Sequence, residues 1–331
     1  MTITPAALRP QKTWSHLAAK RRKPSEYEIV STNLLWHMRD KDQPWDVDHA
    51  GVMADWYRKY RNGSPVQHDD WDAFRDPDEL VYRTYNILQD GQETYVEGLL
   101  DQHNSEEHDK GLSSEWAASL AAHFAPGRYL LHTAQMASAY IVHMSPASTI
   151  SNCAAFQAAD QLRWLSHVAY RTAELSQSHP SLGLATQERS HWEELPAWQR
   201  FRELMESILA TYDWAEAFIA LNVIAKPAID EAFWRQQGVS ARRQGDTLFA
   251  LVSEAALRDS ERSRRWTVEL IRQMAQRPEN VLVLERWIQN WAVLGDAAIE
   301  AFCADLPDNP DAAANALAAT RTFRASLPLR G

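Results

Sequence analysis

Long runs in which apolar residues return every three or four positions, with little glycine to break them, leave this chain few alternatives to helices. Leu130, Ala134, Ala137, Ile141 and Met144 step by four and three, as do Ala158, Leu162, Leu165, Ala169 and Thr172, and again Leu204, Ile208, Thr211, Ala215 and Phe218. Only 11 glycines occur in 331 residues, and the two dipeptides that would mark hairpins, Asn62-Gly63 and Asp90-Gly91, are flanked by helix-like sequence. Pro126, Pro146, Pro196, Pro227 and Pro278 punctuate the periodic segments. The pattern predicts helices near 77–103, 113–124, 127–144, 147–178, 197–225, 227–237, 242–277, 279–304 and 311–324. Helices of that length joined by short connections make a bundle.

Residues 1–75 read differently. They hold Pro5, Pro10, Pro24, Pro44 and Pro65, and beyond "VMADWYRKY" they have few periodic apolar runs. Their aromatic anchors Trp14, Tyr27, Trp36, Trp45 and Trp71 make a poor core by themselves. We therefore expect an extended N-terminal arm and interface segment over 1–75, a helical bundle over 76–305, and a C-terminal helix or tail over 306–331. The arm needs another surface to lie on, either its own bundle or a partner's.

Charge and cysteine content exclude several functions. The net charge is −10, yet Arg9, Lys12, Lys20, Arg21, Arg22 and Lys23 are all cationic with no acid before Ser25, so the remainder is more acidic than the total. An acidic body disfavours nucleic acid. No run approaches the roughly 18 apolar residues of a membrane span, and the N-terminus lacks the apolar core of a secretory signal. Cys153 and Cys303 are too few for a disulfide framework and fit a cytoplasmic protein.

A carboxylate-bridged di-iron centre needs Glu-x-x-His on each of two core helices, plus a Glu from each of two others, because three residues of helix put carboxylate and imidazole on one face. Glu188 and His191 are the one such pair, and they lie in a connection, where a surface or capping role suits them better. His132 and His143 have no carboxylate beside them and read as core or interface histidines. There is no phosphate loop, nucleophile elbow or zinc spacing. The chain has 14 Trp, and those of the arm and of "HWEELPAW" point to an interface. From the residues alone, a ferritin-like oxidase with an unusual ligand set and a metal-free helical scaffold unrelated to oxygenases both stay open.

Longer stretches resemble a family. "KTWSHLAAKRRKPSEYEIVSTNL", "HDDWDAFRDPDELVYRTYNILQDGQE", "PASTISNCAAFQAADQLRWLSHVAYRT", "PAWQRFRELMESILATYDWAEAFIALN" and "ERSRRW" resemble the β subunit of the hydroxylase component of bacterial multicomponent di-iron monooxygenases, in the toluene and toluene/o-xylene branch. The resemblance implies an all-α, ferritin-like long-helix bundle with no catalytic residue, metal or cofactor of its own. Gln161 and Trp164, with Ser263 and Trp266, would stand at vestigial ligand positions where the paralogous catalytic chain has Glu-x-x-His, and Arg163 and Arg265 would keep the Arg before each ligating His. It further implies α and γ partners in a hetero-hexamer with two copies of each chain, a di-iron centre in α, and an effector protein and a Rieske ferredoxin that dock on the complex. The arm residues Trp14, Leu17, Arg21, Arg22, Tyr27 and Ile29 are the expected subunit interface.

Overall fold

A computed structural model of the chain describes residues 23–32 and 51–329. Among them no strand occurs, and the helices follow in the order α1 (Glu26–Ser31), α2 (Val52–Tyr57), α3 (Tyr82–Ser105), α4 (Ser114–Ser119), α5 (Gly127–Met144), α6 (Ser148–Ser178), α7 (Glu188–Glu194), α8 (Pro196–Leu209), α9 (Trp214–Phe218), α10 (Lys226–Ala228), α11 (Gln237–Arg243), α12 (Thr247–Met274), α13 (Pro278–Cys303) and α14 (Ala312–Ala325). The bundle is all-α and ferritin-like, as its periodicity and resemblance led us to expect.

Local chemistry sets the helix ends. Ser113 accepts from Trp116 N at 3.1 Å, and Asp246 accepts from Phe249 N at 2.9 Å, each satisfying a donor that the first turn leaves unpaired. Pro196 and Pro278 open α8 and α13, where a missing amide costs nothing. α3 begins at Tyr82 and not near 77, because the Asp76 carboxylate accepts from Asp78 N (3.0 Å) and Leu80 N (3.1 Å) and holds 76–81 as a turn, with Glu79 at φ 47°. The single helix expected over 197–225 is two. Asp213 caps a new start, accepting from Ala215 N and Glu216 N at 3.0 and 3.1 Å.

From Trp214 the chain then stays helical to Arg243, passing through π turns at Ile219–Ala225 and Ile229–Gln236. Pro227 was expected to interrupt it. A proline inside a helix removes one amide donor and crowds the carbonyl four residues back; here a widened turn precedes it and the helix continues.

α5 and α6 form a long hairpin across Ser145–Ala147, with α8 and α9 against α5, and α12 against α3, α6 and the π segments. α13 covers α8 and the π segments, and α14 packs on α13. The core is strongly aromatic. Trp192 and Trp198 of "HWEELPAW" are buried, not interfacial: Trp198 Nε1 donates to Ala122 O at 2.8 Å, and its ring packs on Phe302 at 5.0 Å and on Trp192 at 5.4 Å. α7, which puts Trp192 inward, was not foreseen in the sequence.

The N-terminal segment also differs from expectation where it is described. Residues 26–31 are helical under a capping box made by Ser25 and Glu28. Tyr27 is only 5% exposed and accepts from Asp76 N at 2.9 Å through its hydroxyl, so it anchors this chain's own core and not a partner's. Ile29 is half-buried. Trp14, Leu17, Arg21 and Arg22, like Trp36 and Trp45, lie outside the described residues. Tyr57, Val66 and Phe74 join the bundle core, and Trp71 meets Trp214 edge-on at 5.1 Å, so 51–75 lies on its own bundle.

Gly295 marks where α13 crosses the first π turn, for a Cβ there would fall inside contact distance of the Ile224 side chain. Alanine is the better helix former, yet overpacking costs about 1–3 kcal/mol. Gly295→Ala is therefore expected to lower the urea midpoint despite the gain in propensity; an unchanged or higher midpoint would show that the helices can move apart freely.

Candidate functional site

The inner face of α6 presents Gln157, Asp160, Gln161, Trp164 and Val168, and that of α12 presents Asp259, Arg262, Ser263 and Trp266; all are buried. Both helices carry charge at their mutual contact. A buried charge is tolerated only when paired, and here every one is.

The Arg262 guanidinium hydrogen-bonds Asp160 and lies 3.2 Å from Asp259. Arg163 binds Asp259 and also Glu93 of α3, the latter at 2.6 Å. Around these pairs, Tyr85 Oη donates to Asp160 at 2.8 Å, and Gln89 Nε2 reaches both Asp160 (2.8 Å) and Asp259 (3.1 Å). Trp164 Nε1 donates to Asp259 at 2.8 Å, and His167 Nε2 lies 3.0 Å from Glu93. Three helices distant in sequence thus meet through one ionic cluster.

The electrostatics follow from depth. Burial and then the neighbouring Asp259 charge push the Asp160 carboxyl up to about 7, against the pull of Arg262 and Tyr85. Desolvation works against the Arg262 cation, but the two aspartates outweigh it and raise its pKa. Burial likewise opposes the Glu93 anion, and hydrogen bonds from Arg163 and His167 overcome that and hold its carboxyl below the usual range.

The four positions singled out in the sequence all lie in this core. Trp164 packs edge-on against Trp234 at 5.5 Å, and Trp266 meets Phe218 at 5.2 Å, so the two indoles have different ring partners. Gln161 Oε1 has no hydrogen-bond partner among the described residues. Arg163 and Arg265 prove unequal: Arg163 turns inward and stacks over the Trp164 ring at 4.7 Å, whereas Arg265 faces outward and pairs with Asp78 at 2.9 Å.

Asp160, Asp259 and Arg262 were missed, and Glu93, whose helical spacing with Glu97 reads as a merely solvated pair, is instead bound by Arg163 and His167. The signal was present for Asp160, which sits one turn before Trp164 on the same helical face. A second buried set ties the π segment to α12: Ser260 Oγ donates to Asp230 at 2.6 Å, Lys226 lies 3.5 Å from Asp230, and Arg264 pairs with Glu231 at 2.9 Å. Nearer the centre, Asn222 bridges Gln157 and Thr267 at 3.0 Å each.

The other histidine candidates disperse. Glu188 is buried, accepting from Ala185 N and lying 3.5 Å from Arg128, while His191 Nδ1 faces Ala121 O at 3.0 Å. His132 and His143 are exposed and not core residues, with His143 against the Tyr57 hydroxyl at 2.9 Å. Among the described residues no three His, Cys, Asp or Glu side chains converge as a metal-holding group. Gln161, Trp164, Ser263 and Trp266 do not fit a di-iron centre, since they offer neither carboxylate nor imidazole, and the nearby carboxylates are already bound by guanidinium groups.

The fold is a ferritin-like helical bundle whose two central helices meet through arginine–carboxylate pairs, with no metal-holding ligand set among the described residues. Residues 56–278 match the family described as Methane/Phenol/Alkene Hydroxylase, and the chain belongs to that family. Over 294 residues, 89% of this chain and 90% of the relative, it is 49% identical to the hydroxylase component subunit beta of the toluene-4-monooxygenase system of Ectopseudomonas mendocina. It is 22% identical, over 85% of its length and 77% of the relative's, to the hydroxylase component small subunit of propane 2-monooxygenase of Mycolicibacterium smegmatis. A chain of the toluene-bound structure of toluene 4-monooxygenase superposes with a TM-score of 0.86 at 48% identity, covering 91% of this chain and 99% of that one. A chain of phenol hydroxylase from Pseudomonas sp. OX1 shares the fold, with a TM-score of 0.80 at 20% identity and 98% of each chain covered.

The Asp160 carboxyl titrates near pH 4 when unfolded and near 7 when folded. The folded state therefore holds one more proton between those values, and this group makes stability fall as pH rises from 4 to 7, by at most about 1.4 kcal/mol per pH unit. Asp160→Asn cannot titrate. In urea unfolding from pH 4.5 to 7.5, its stability relative to wild type should improve steadily with pH; parallel pH profiles would show that Asp160 is ionised throughout.

Proposed function

We propose that this chain is the non-catalytic structural β subunit of a toluene-type aromatic hydrocarbon monooxygenase hydroxylase, an oxidoreductase that hydroxylates the ring with O₂ and NADH-derived electrons. The observation that carries the reading is the occupancy of the core: Gln161, Trp164, Ser263 and Trp266 are buried where two central helices cross, and arginines take the adjacent carboxylates. The similarity to a hydroxylase subunit beta supports it. In this reading the four residues mark a vestigial ligand site. Tryptophan fills volume that a metal and its ligands would need, and a guanidinium supplies the positive charge that the aspartates require.

The partners are then α and γ hydroxylase subunits, two of each chain in a hetero-hexamer. The di-iron centre belongs to α, and an effector protein and a Rieske ferredoxin dock on the assembly. The β chain holds the catalytic subunits in one complex, with no step of the chemistry passing through its residues. Trp14, Leu17, Arg21 and Arg22 contact a partner subunit, continued by half-buried Ile29. The site of action is the cytoplasm, consistent with the free, buried Cys153 and Cys303 and with described helices none of which is long and apolar enough to cross a membrane.

Three measurements test this. The chain expressed alone should retain no stoichiometric iron after chelator treatment; two tightly held irons per chain would sink the assignment. Trp164→Ala should cost about 3–5 kcal/mol of unfolding free energy if the packed core cannot collapse around the void. Removing residues 1–22, which spares Tyr27, should weaken assembly with the α subunit by about tenfold or more while the helical circular dichroism of the isolated chain stays unchanged; full-strength assembly would remove the arm from the interface.

A further inference from the structure

The outer face of α3 is shaped for a neighbour that the described part of this chain does not supply. Ile87, Gly91, Tyr95 and Gly98 advance by four, four and three and so share one face. Ile87 is 62% and Tyr95 39% exposed, the Tyr95 ring having the Arg258 guanidinium of α12 over one side at 5.5 Å, and Leu88 beside them is exposed as well. Glycine is a poor choice at a solvent-facing position in mid-helix. A Cβ added to Gly91 or Gly98 would meet nothing within 4 Å, so no described contact within the chain calls for either glycine. What two glycines about two turns apart on one helical face do permit is the close approach of another backbone.

Beside this face runs an acidic ridge. Asp90, Glu97 and Asp101 are exposed and fall in step with Glu93 and Asn104, whose side chains reach Arg163 and Glu174 of α6. Glu93 is neutralised by Arg163, but among the described residues no cation pairs with Asp90, Glu97 or Asp101. Across the ridge, α6 exposes Leu162 and Tyr170. The apolar side chains on either side are better covered than left in water, and the solvated acidic row between them is complementary to a cationic partner.

We propose that the α3 face, with its acidic ridge toward α6, is the docking surface for a basic helix of a partner hydroxylase subunit, one that places its backbone over Gly91 and Gly98 and Lys or Arg against Asp90, Glu97 and Asp101. This rests on the β-subunit reading. Charge selects the occupant. A second copy of this chain would bring two acidic ridges together, and nucleic acid would be repelled, whereas a helix carrying Lys or Arg would neutralise the row.

The test co-expresses the full chain with the other hydroxylase subunits of its organism and compares two variants with wild type by affinity co-purification and sedimentation. Gly91→Leu/Gly98→Leu improves helix propensity in open space, so the melting temperature of the isolated chain should be no lower than wild type, while assembly weakens at least tenfold. Asp90→Lys/Glu97→Lys/Asp101→Lys should also weaken assembly at least tenfold, and wild-type assembly should weaken with added salt. If both variants assemble as wild type does, the docking face is wrong and the β-subunit reading survives. If the variants instead abolish a self-association of the wild-type chain alone, a second copy is the occupant and the proposal is overturned. If wild type itself fails to assemble with those subunits, both this inference and the β-subunit reading fall.

Discussion

Two arginines facing two aspartates in the buried centre of the bundle are the constraint on which the rest of the structure depends. Asp160 and Asp259 stand on α6 and α12, and each would be expelled from an apolar core if left alone. Arg262 spans both, and Arg163 ties Asp259 to Glu93 of α3. The cluster thereby ties three long helices together at one level of the bundle. Removing one partner from such a buried pair typically costs about 3–5 kcal/mol, because the other charge stays behind. Its indole and amide donors, Trp164 and Gln89, use the remaining carboxylate lone pairs.

Around this polar centre the packing is aromatic and tight. Trp198, Phe201, Phe233 and Phe302 interlock on one side, and Trp266 with Phe218 on another. Bulky side chains at helix crossings demand small residues opposite them, which is why Gly127 faces Phe233 and Gly295 faces Ile224. The same logic separates these glycines from Gly91 and Gly98, which have open space above them. Rings interlocked in this way leave the bundle little room to yield.

How much of the site was legible depended on the kind of evidence. The spacing of Gln161 with Trp164 and of Ser263 with Trp266 could be read because three residues of helix always share a face. The link to a hydroxylase bundle came instead from the longer stretches of sequence, and the family match agrees with that link. Arg265 was placed in the same role as Arg163, and it turned outward to Asp78, since a position adjacent to a buried residue leaves the interior face within one step of helix. Arg262 took the inward role instead.

The sequence by itself determined the helical class, the positions of most long helices and which of their faces turn inward, because periodicity and caps act over three or four residues. Only the tertiary structure decided the partners. Tyr27 reaches Asp76 across 49 residues, Trp198 reaches Ala122 across 76, and Arg262 reaches Asp160 across 102. No local pattern encodes such distances. Which aromatic ends in the core and which carboxylate meets a cation depends on how the helices stack, and burial then sets the cost of any charge left unpaired.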